Sequence, residues 1–306
     1  MSLLYATPIM HRALPVTASD GFFQRIAVIG LGLIGGSWGL ALKEHGFPGV
    51  RVGYDQPEVL RRAFASGAVD EAEEDWRRAV KGAGLVILAM PVGPTLNLIG
   101  ELNGFLAPGA LVTDTGSTKT EICSRAQQRI HGDMLFIGGH PLAGKERSGI
   151  DNAEAALFEG AVYVLTPPGL ETLQDARGQA FSALIASVGA KAWVMDAAAH
   201  DHALAYLSHL PQLLSTALAS LITDKQREEA LPIELAASGF RDATRLAESP
   251  YSVWRDICAT NAGNIRESLD ALINQLERIK QHLADPLLEQ DFEEALRLRE
   301  KLREIK

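Results

Sequence analysis

Arg25-Ile-Ala-Val-Ile-Gly30-Leu31-Gly32-Leu33-Ile34-Gly35-Gly-Ser37 is an apolar strand that runs into a glycine turn and the start of a helix. The spacing is Gly-x-Gly-x-x-Gly, and each glycine has a separate task in holding a dinucleotide. Gly30 permits the tight turn. Gly32, with no Cβ, lets the backbone approach a pyrophosphate. Gly35 lets the helix lie close on the strand. The helix that opens at Leu33 and Ile34 then offers free N–H groups and the positive end of its dipole to the phosphates. A second strand, Val50-Arg-Val-Gly-Tyr, closes on Asp55, twenty residues past Gly35. An acid there accepts hydrogen bonds from the adenosine ribose hydroxyls and repels a 2′-phosphate, which favours NAD over NADP. The rival for Asp55 is an ordinary strand-end turn residue. Arg61 and Arg62 read as exposed helix charges.

Outward from this unit, short β-rich runs alternate with helical patterns as far as Asp196. Strands are expected at 25–30, 50–54, 85–90, 110–115, 134–138, 161–166 and 191–195, with helices at 57–66, 94–103, 118–130 and 170–187. Such alternation gives a mostly parallel sheet covered on both faces. Beyond Asp196 only helical patterns appear, at 199–223, 226–237, 251–259, 261–283 and 287–304, parted by Pro232, Gly239, Pro250 and Pro286. The expected organisation is a loose tail over 1–22, an α/β (Rossmann-like) dinucleotide-binding domain over 23–196, and an all-α substrate and dimerisation domain over 197–306. The last segment, from Asp291, reads as a solvated amphipathic helix.

The 306 residues carry a formal net charge of −9, which argues against nucleic acid as a partner and means that an anionic ligand needs a local cluster of bases. Cys123 and Cys258 read as free thiols, and no metal-ligand spacing is present. No run approaches the ~18 apolar residues of a membrane span. The start of the chain lacks a signal peptide's pattern, so a cytoplasmic location is expected.

Chemistry-bearing residues follow the strands, where ligands bind open α/β sheets. Met90-Pro91-Val92 either lines the cofactor groove or only turns the chain. In Asp114-Thr-Gly-Ser117-Thr-Lys119, Ser117 serves either as a donor to a substrate hydroxyl or as a helix N-cap. Lys119 serves as electrostatic aid or base. His140-Pro-Leu-Ala-Gly144-Lys145 puts an imidazole at the same sheet edge, suited to proton transfer near neutral pH. Lys145 and Arg147 could offset substrate charge. In the first helix after Asp196, Pro211 is expected to kink the chain beside His209. A kink beside a histidine points to a ligand site, with core packing the rival. His202 shares the face of His209, whereas His200 does not. Gly239-Phe-Arg241-Asp-Ala-Thr-Arg245 offers two arginines four apart, matched to a carboxylate or bridged to Asp242 or Glu248.

Taken in order, Gly-Leu-Gly-Leu-Ile-Gly-Gly-Ser, Asp-Thr-Gly-Ser-Thr-Lys, His-Pro-Leu-Ala-Gly, Ser-His-Leu-Pro and Gly-Phe-Arg-Asp-Ala-Thr-Arg resemble the prephenate/arogenate dehydrogenase family of tyrosine biosynthesis, over about residues 24–282. The resemblance implies NAD-dependent oxidative decarboxylation of a cyclohexadienyl acid. It implies that His140 takes the proton of the ring hydroxyl and that Ser117 lies near that hydroxyl and the nicotinamide. It also implies His209 in the substrate pocket, Arg245 on a substrate carboxylate, Trp254 near the pocket, and a homodimer formed through the helical domain. Lys145 stands where some relatives have a small hydroxyl residue, so its part in binding is open. The chain has no length to spare for the mutase or regulatory domain of some relatives. The runner-up is a β-hydroxyacid-type NAD(P) dehydrogenase, in which Lys119 or a lysine of the helical domain would be the base.

Overall fold

A computed structural model describes residues 23–145 and 147–304, so the tail expected over 1–22 lies outside the described residues. In chain order the strands are β1 (Arg25–Ile29), β2 (Val50–Tyr54), β3 (Glu71–Ala72), β4 (Leu85–Leu88), β5 (Leu111–Asp114), β6 (Leu135–Pro141), β7 (Val162–Thr166) and β8 (Lys191–Val194). The helices threaded between them are α1 (Leu33–Glu44), α2 (Pro57–Ser66), α3 (Trp76–Val80), α4 (Val92–Leu102), α5 (Thr120–Arg129), α6 (Glu171–Gln174) and α7 (Ala176–Ser187). After β8 the chain is helical: α8 (Ala197–Leu204), α9 (Leu210–Glu229), α10 (Ser238–Thr244), α11 (Tyr251–Thr260), α12 (Ala262–Gln281) and α13 (Leu287–Glu304).

The strands form one sheet in the order β3-β2-β1-β4-β5-β6-β7-β8. The pairs are parallel except β6 with β7, which is antiparallel. The central strands are apolar on both faces because helices cover both, and two apolar clusters lie on either side of the sheet. Trp38 of α1 packs on Phe158 and Tyr163 in one of them.

Strand β6 changes partners midway. Leu135 to Ile137 pair with β5, then Gly138 to Pro141 pair with β7. The switch falls on two glycines for a steric reason. A Cβ on Gly138 would lie 2.3 Å from Thr166 Oγ1, and one on Gly139 would lie 2.5 Å from the Asp114 carbonyl oxygen. This crossing carries His140 to the carboxyl edge of the sheet.

The helices depart from the expected segments in three places. The helix expected over 226–237 does not form. Instead α9 continues to Glu229 and ends at Ala230 in the left-handed region (φ 53°), just ahead of Pro232. The helix expected over 170–187 is divided at Asp175, whose side chain caps α7 through the Arg177 N–H. The kink expected at Pro211 takes the form of a π-helical turn over Ala205–His209 directly before α9. Pro211 has no N–H for the Leu207 carbonyl, and its ring crowds that turn, so the register widens there.

Candidate active site

The glycine turn has the geometry a dinucleotide needs. Gly30 has φ +94°, a value that favours glycine. A Cβ on Gly35 would lie 1.9 Å from the Gly30 carbonyl oxygen, so α1 and the turn touch. A Cβ on Gly32 would meet nothing within 4 Å, which leaves that face of the turn open. The first turn of α1 has no side-chain cap and no acid. Its N–H groups at Leu33, Ile34 and Gly35 are thus left to an anion. Asp55 lies against this turn: its Oδ2 accepts the Leu31 N–H at 2.6 Å, and its Oδ1 accepts the Gln56 N–H at 2.6 Å. Met90 and Pro91 follow β4, and Pro91 stands at the N-cap position of α4. These residues fit NAD.

The proton-transfer candidates meet where the two halves join. His140 is buried and its Nδ1 lies 2.8 Å from Nε2 of His200 on α8. His200 Nδ1 lies 2.8 Å from Asp201 Oδ1. His140 Nε2 has no partner among the described residues and is not among the occluded orphan atoms. Burial, with the charges that His200, Lys119 and His209 would present, holds His140 well below the ordinary imidazole value. Burial likewise lowers His200 and takes His209 down to about 4. All three rings are neutral at neutral pH.

His209 is fully buried, stacks edge-on against Trp254 at 5.9 Å, and has an Nε2 with no partner. Trp254 is half-buried and donates its indole N–H to Ser249 Oγ at 2.9 Å. His202, expected on the face of His209, packs on Tyr206 within the π turn that separates the two histidines. His200, set aside by helical periodicity, is the residue that reaches His140.

Two expectations are corrected. Lys119 is no base: it is fully buried, and its Nζ is paired with the equally buried Asp114. Asp114 also accepts the N–H of Gly139 at 3.1 Å and of Gly116 at 2.8 Å. Nor does Ser117 cap a helix. α5 begins at Thr120, and its first N–H groups are met by Asp201 of α8, 2.7 Å from the Lys119 nitrogen and 2.8 Å from that of Thr120. Ser117 stays half-buried in the loop between β5 and α5.

A cavity of about 400 Å³ is lined by Lys145, Arg147, Asn152, Arg245 and Glu248. Lys145 is bound there to Glu154 at 2.6 Å and to the Asn152 carbonyl at 3.2 Å. Arg241 and Arg245 do not act as a pair. α10 ends at Thr244, Arg245 opens a short 3-10 turn to Glu248, and Arg241 turns back toward the Ala236 carbonyl. The base cluster that the net charge required is therefore drawn from two distant segments. Sequence reasoning missed Asp114, His200, Asp201 and Asn261, each of which also has a partner at least 25 residues away.

Comparison with known proteins bears on this site. Residues 38–194 match the nucleotide-binding domain of prephenate dehydrogenase, and residues 196–304 match the prephenate dehydrogenase dimerization domain. The chain belongs to the prephenate dehydrogenase family. It is 37% identical over 265 residues to a prephenate dehydrogenase of Lactococcus lactis, covering 85% of this chain and 69% of that protein. A Synechocystis arogenate dehydrogenase structure superposes with TM-score 0.77 at 32% identity, covering 91% of this chain and 99% of the other. The Aquifex aeolicus prephenate dehydrogenase, solved with hydroxyphenyl propionate and NAD+, gives TM-score 0.79 at 27% identity over 92% and 98% of the two chains. The family's fold is the one described above, an α/β nucleotide-binding domain followed by a helical dimerisation domain. These relatives support NAD-dependent oxidative decarboxylation in tyrosine biosynthesis as the family's reaction. Among the described residues no helix is long and apolar enough to cross a membrane.

Proposed function

We propose that this chain oxidises and decarboxylates prephenate, arogenate or both, with His140 as the general base. The observation that carries the reading is a buried, neutral imidazole whose Nε2 is unpaired, at the sheet edge where dinucleotides bind. Gly30, Gly32, Leu33, Ile34, Gly35, Asp55, Met90 and Pro91 would hold NAD, which would supply a hydride acceptor for the carbinol carbon of the substrate. As that carbon loses hydride, His140 Nε2 withdraws the proton of its hydroxyl and offsets the growing positive charge. Such assistance is typically worth about 10²–10⁴-fold. Ser117 lies on the neighbouring loop and orients the same hydroxyl. Arg245, with Lys145 beside it, grips substrate carboxylate and holds the ring in reacting geometry. His209 and Trp254 form the wall of the pocket. Loss of CO2 then leaves an aromatic phenol, which makes the reaction effectively irreversible.

The enzyme works as a homodimer through its helical half. That half leaves large apolar side chains in water, among them Leu221, Ile273, Phe292 and Leu296, a pattern typical of an interface. The free thiols of Cys123 and Cys258 suit a cytoplasmic location. The test is NADH and NADPH formation with prephenate and with arogenate. Turnover of at least one acid with NAD is expected. No turnover of either would refute the reading, and a preference for NADP would refute the role given to Asp55.

A further inference from the structure

Asp201 touches neither cofactor groove nor cavity, yet both unpaired imidazole nitrogens depend on it. Its carboxylate accepts three hydrogen bonds: Lys119 N–H and His200 Nδ1–H on Oδ1, and Thr120 N–H on Oδ2. Burial works against its charge, but the hydrogen bonds from His200, Thr120 and Lys119 prevail and hold the carboxyl below its usual range. An ionised carboxylate can only accept. His200 must therefore carry its proton on Nδ1, which leaves Nε2 as an acceptor. The partner of that acceptor is His140 Nδ1 at 2.8 Å, which must then be the protonated nitrogen. The lone pair of His140 is left on Nε2.

A second chain of inference leaves the same residue through its backbone. The Asp201 carbonyl accepts from Asn261 Nδ2 at 2.7 Å, which fixes the orientation of that amide. Asn264 Nδ2 donates to Asn261 Oδ1 at 2.7 Å, in agreement. The other N–H of the Asn261 amide faces His209 Nδ1 at 3.2 Å, so that nitrogen accepts. The proton of His209 is then on Nε2, the buried atom with no partner.

We propose that Asp201 is a positioning residue that sets opposite tautomers in the two histidines: His140 with a bare Nε2 that can take a proton, and His209 with an Nε2–H that can donate to a substrate oxygen. The inference deepens the assignment of His140 as base and rests on it. It also assigns positioning roles to His200 and Asn261, which pass the two orientations on. The same carboxylate caps α5, so the base is armed only when the two halves are docked.

The test is the side-chain 15N spectrum of the full-length enzyme labelled at histidine, with His140→Asn and His209→Asn to assign the rings. Expected are a protonated Nδ1 and bare Nε2 for His140, and the reverse for His209. Asp201→Asn offers one uncharged acceptor to three donors, so His200 Nδ1 is no longer held protonated and the chain is free to reverse. His140 should then carry its proton on Nε2, and kcat should fall about 100-fold or more while NAD affinity changes by less than about twofold. His200→Leu removes the acceptor. His200→Gln restores a carbonyl toward His140 and a donor toward Asp201, and should keep kcat about tenfold or more above His200→Leu. A role confined to capping α5 would not separate that pair. A wild-type His140 protonated on Nε2, or equal kcat in the Leu and Gln variants, would overturn the proposal. Should Asp201→Asn fail to fold, the wild-type spectrum and the His200 pair still decide. Turnover surviving in His140→Asn would instead remove the base itself, whatever the tautomers.

Discussion

A histidine is a general base only while it is neutral. Burial, reinforced by the neighbouring His200, Lys119 and His209, depresses His140 well below its ordinary value of 6.5. Depression extends the neutral form to lower pH, so activity is present across the neutral range and lost as pH falls through the lowered value. The acid limb of the kcat/KM profile is expected below pH 6.5, and a limb above it would mean that another group titrates. Asp55 carries a second prediction. Each of its oxygens has taken one backbone N–H and retains a lone pair for a ribose hydroxyl. Asp55→Ser should raise the KM for NAD by about 10–100-fold, since hydrogen bonds to a charged group are worth about 1.5–3 kcal/mol, and should admit NADP. An unchanged ratio of NAD to NADP activity would return Asp55 to a mere turn role.

At the scale of elements, the last two glycines of the motif should separate folding from binding. Gly35→Ala drives a Cβ into the Gly30 carbonyl, so α1 must move off the turn. A loss of about 1–3 kcal/mol of stability and of NAD affinity together is expected from unfolding and titration. Gly32→Ala meets no protein atom, so stability should change by less than about 0.5 kcal/mol while NAD affinity falls. Equal effects of the two would count against a pyrophosphate at Gly32. What made this unit legible in sequence is that its causes are local: apolar runs, glycine spacing and an acid at a strand end. The strands from β1 to β8 were legible for the same reason, apart from the two-residue β3. The antiparallel turn of β6 onto β7 was not, because it follows from Thr166 and Asp114 packing against Gly138 and Gly139 across the sheet. Separate helices were expected over 199–223 and 226–237, but nothing between Thr223 and Ala230 stops α9. At His209 a proline was visible and its consequence was not. The π turn packs against α8, α9 and α12, contacts that the local sequence does not display. His200 was lost because its partner lies on another element sixty residues away.

At the scale of the molecule, the helical half grips the nucleotide half through helix ends. Asp201 caps α5, and Asp256 of α11 accepts the Gly93 N–H at the start of α4 at 2.9 Å. Between them the hydroxyls of Thr118 and Thr260 meet at 2.7 Å. Carboxylates on helix N-termini gain from the dipole as well as the hydrogen bond, so the seam resists opening. The outer surface of the helical half is the opposite case. Phe292 and Leu296 of α13 are 71% and 56% exposed and lie one turn apart on the same face. Burying a side chain of this kind is worth about 1.5–3 kcal/mol, a gain left unclaimed in a lone chain and collected twice across a two-fold axis. The wild-type protein should therefore scatter light at twice the chain mass in the micromolar range. Phe292→Glu combined with Leu296→Glu should shift it toward one chain mass, because each like charge would face its own copy or lie buried without a partner. NAD affinity should hold in that variant, since the glycine turn and Asp55 belong to the other half. A wild-type protein already at one chain mass would leave α13 an exposed amphipathic helix with no partner of its own kind.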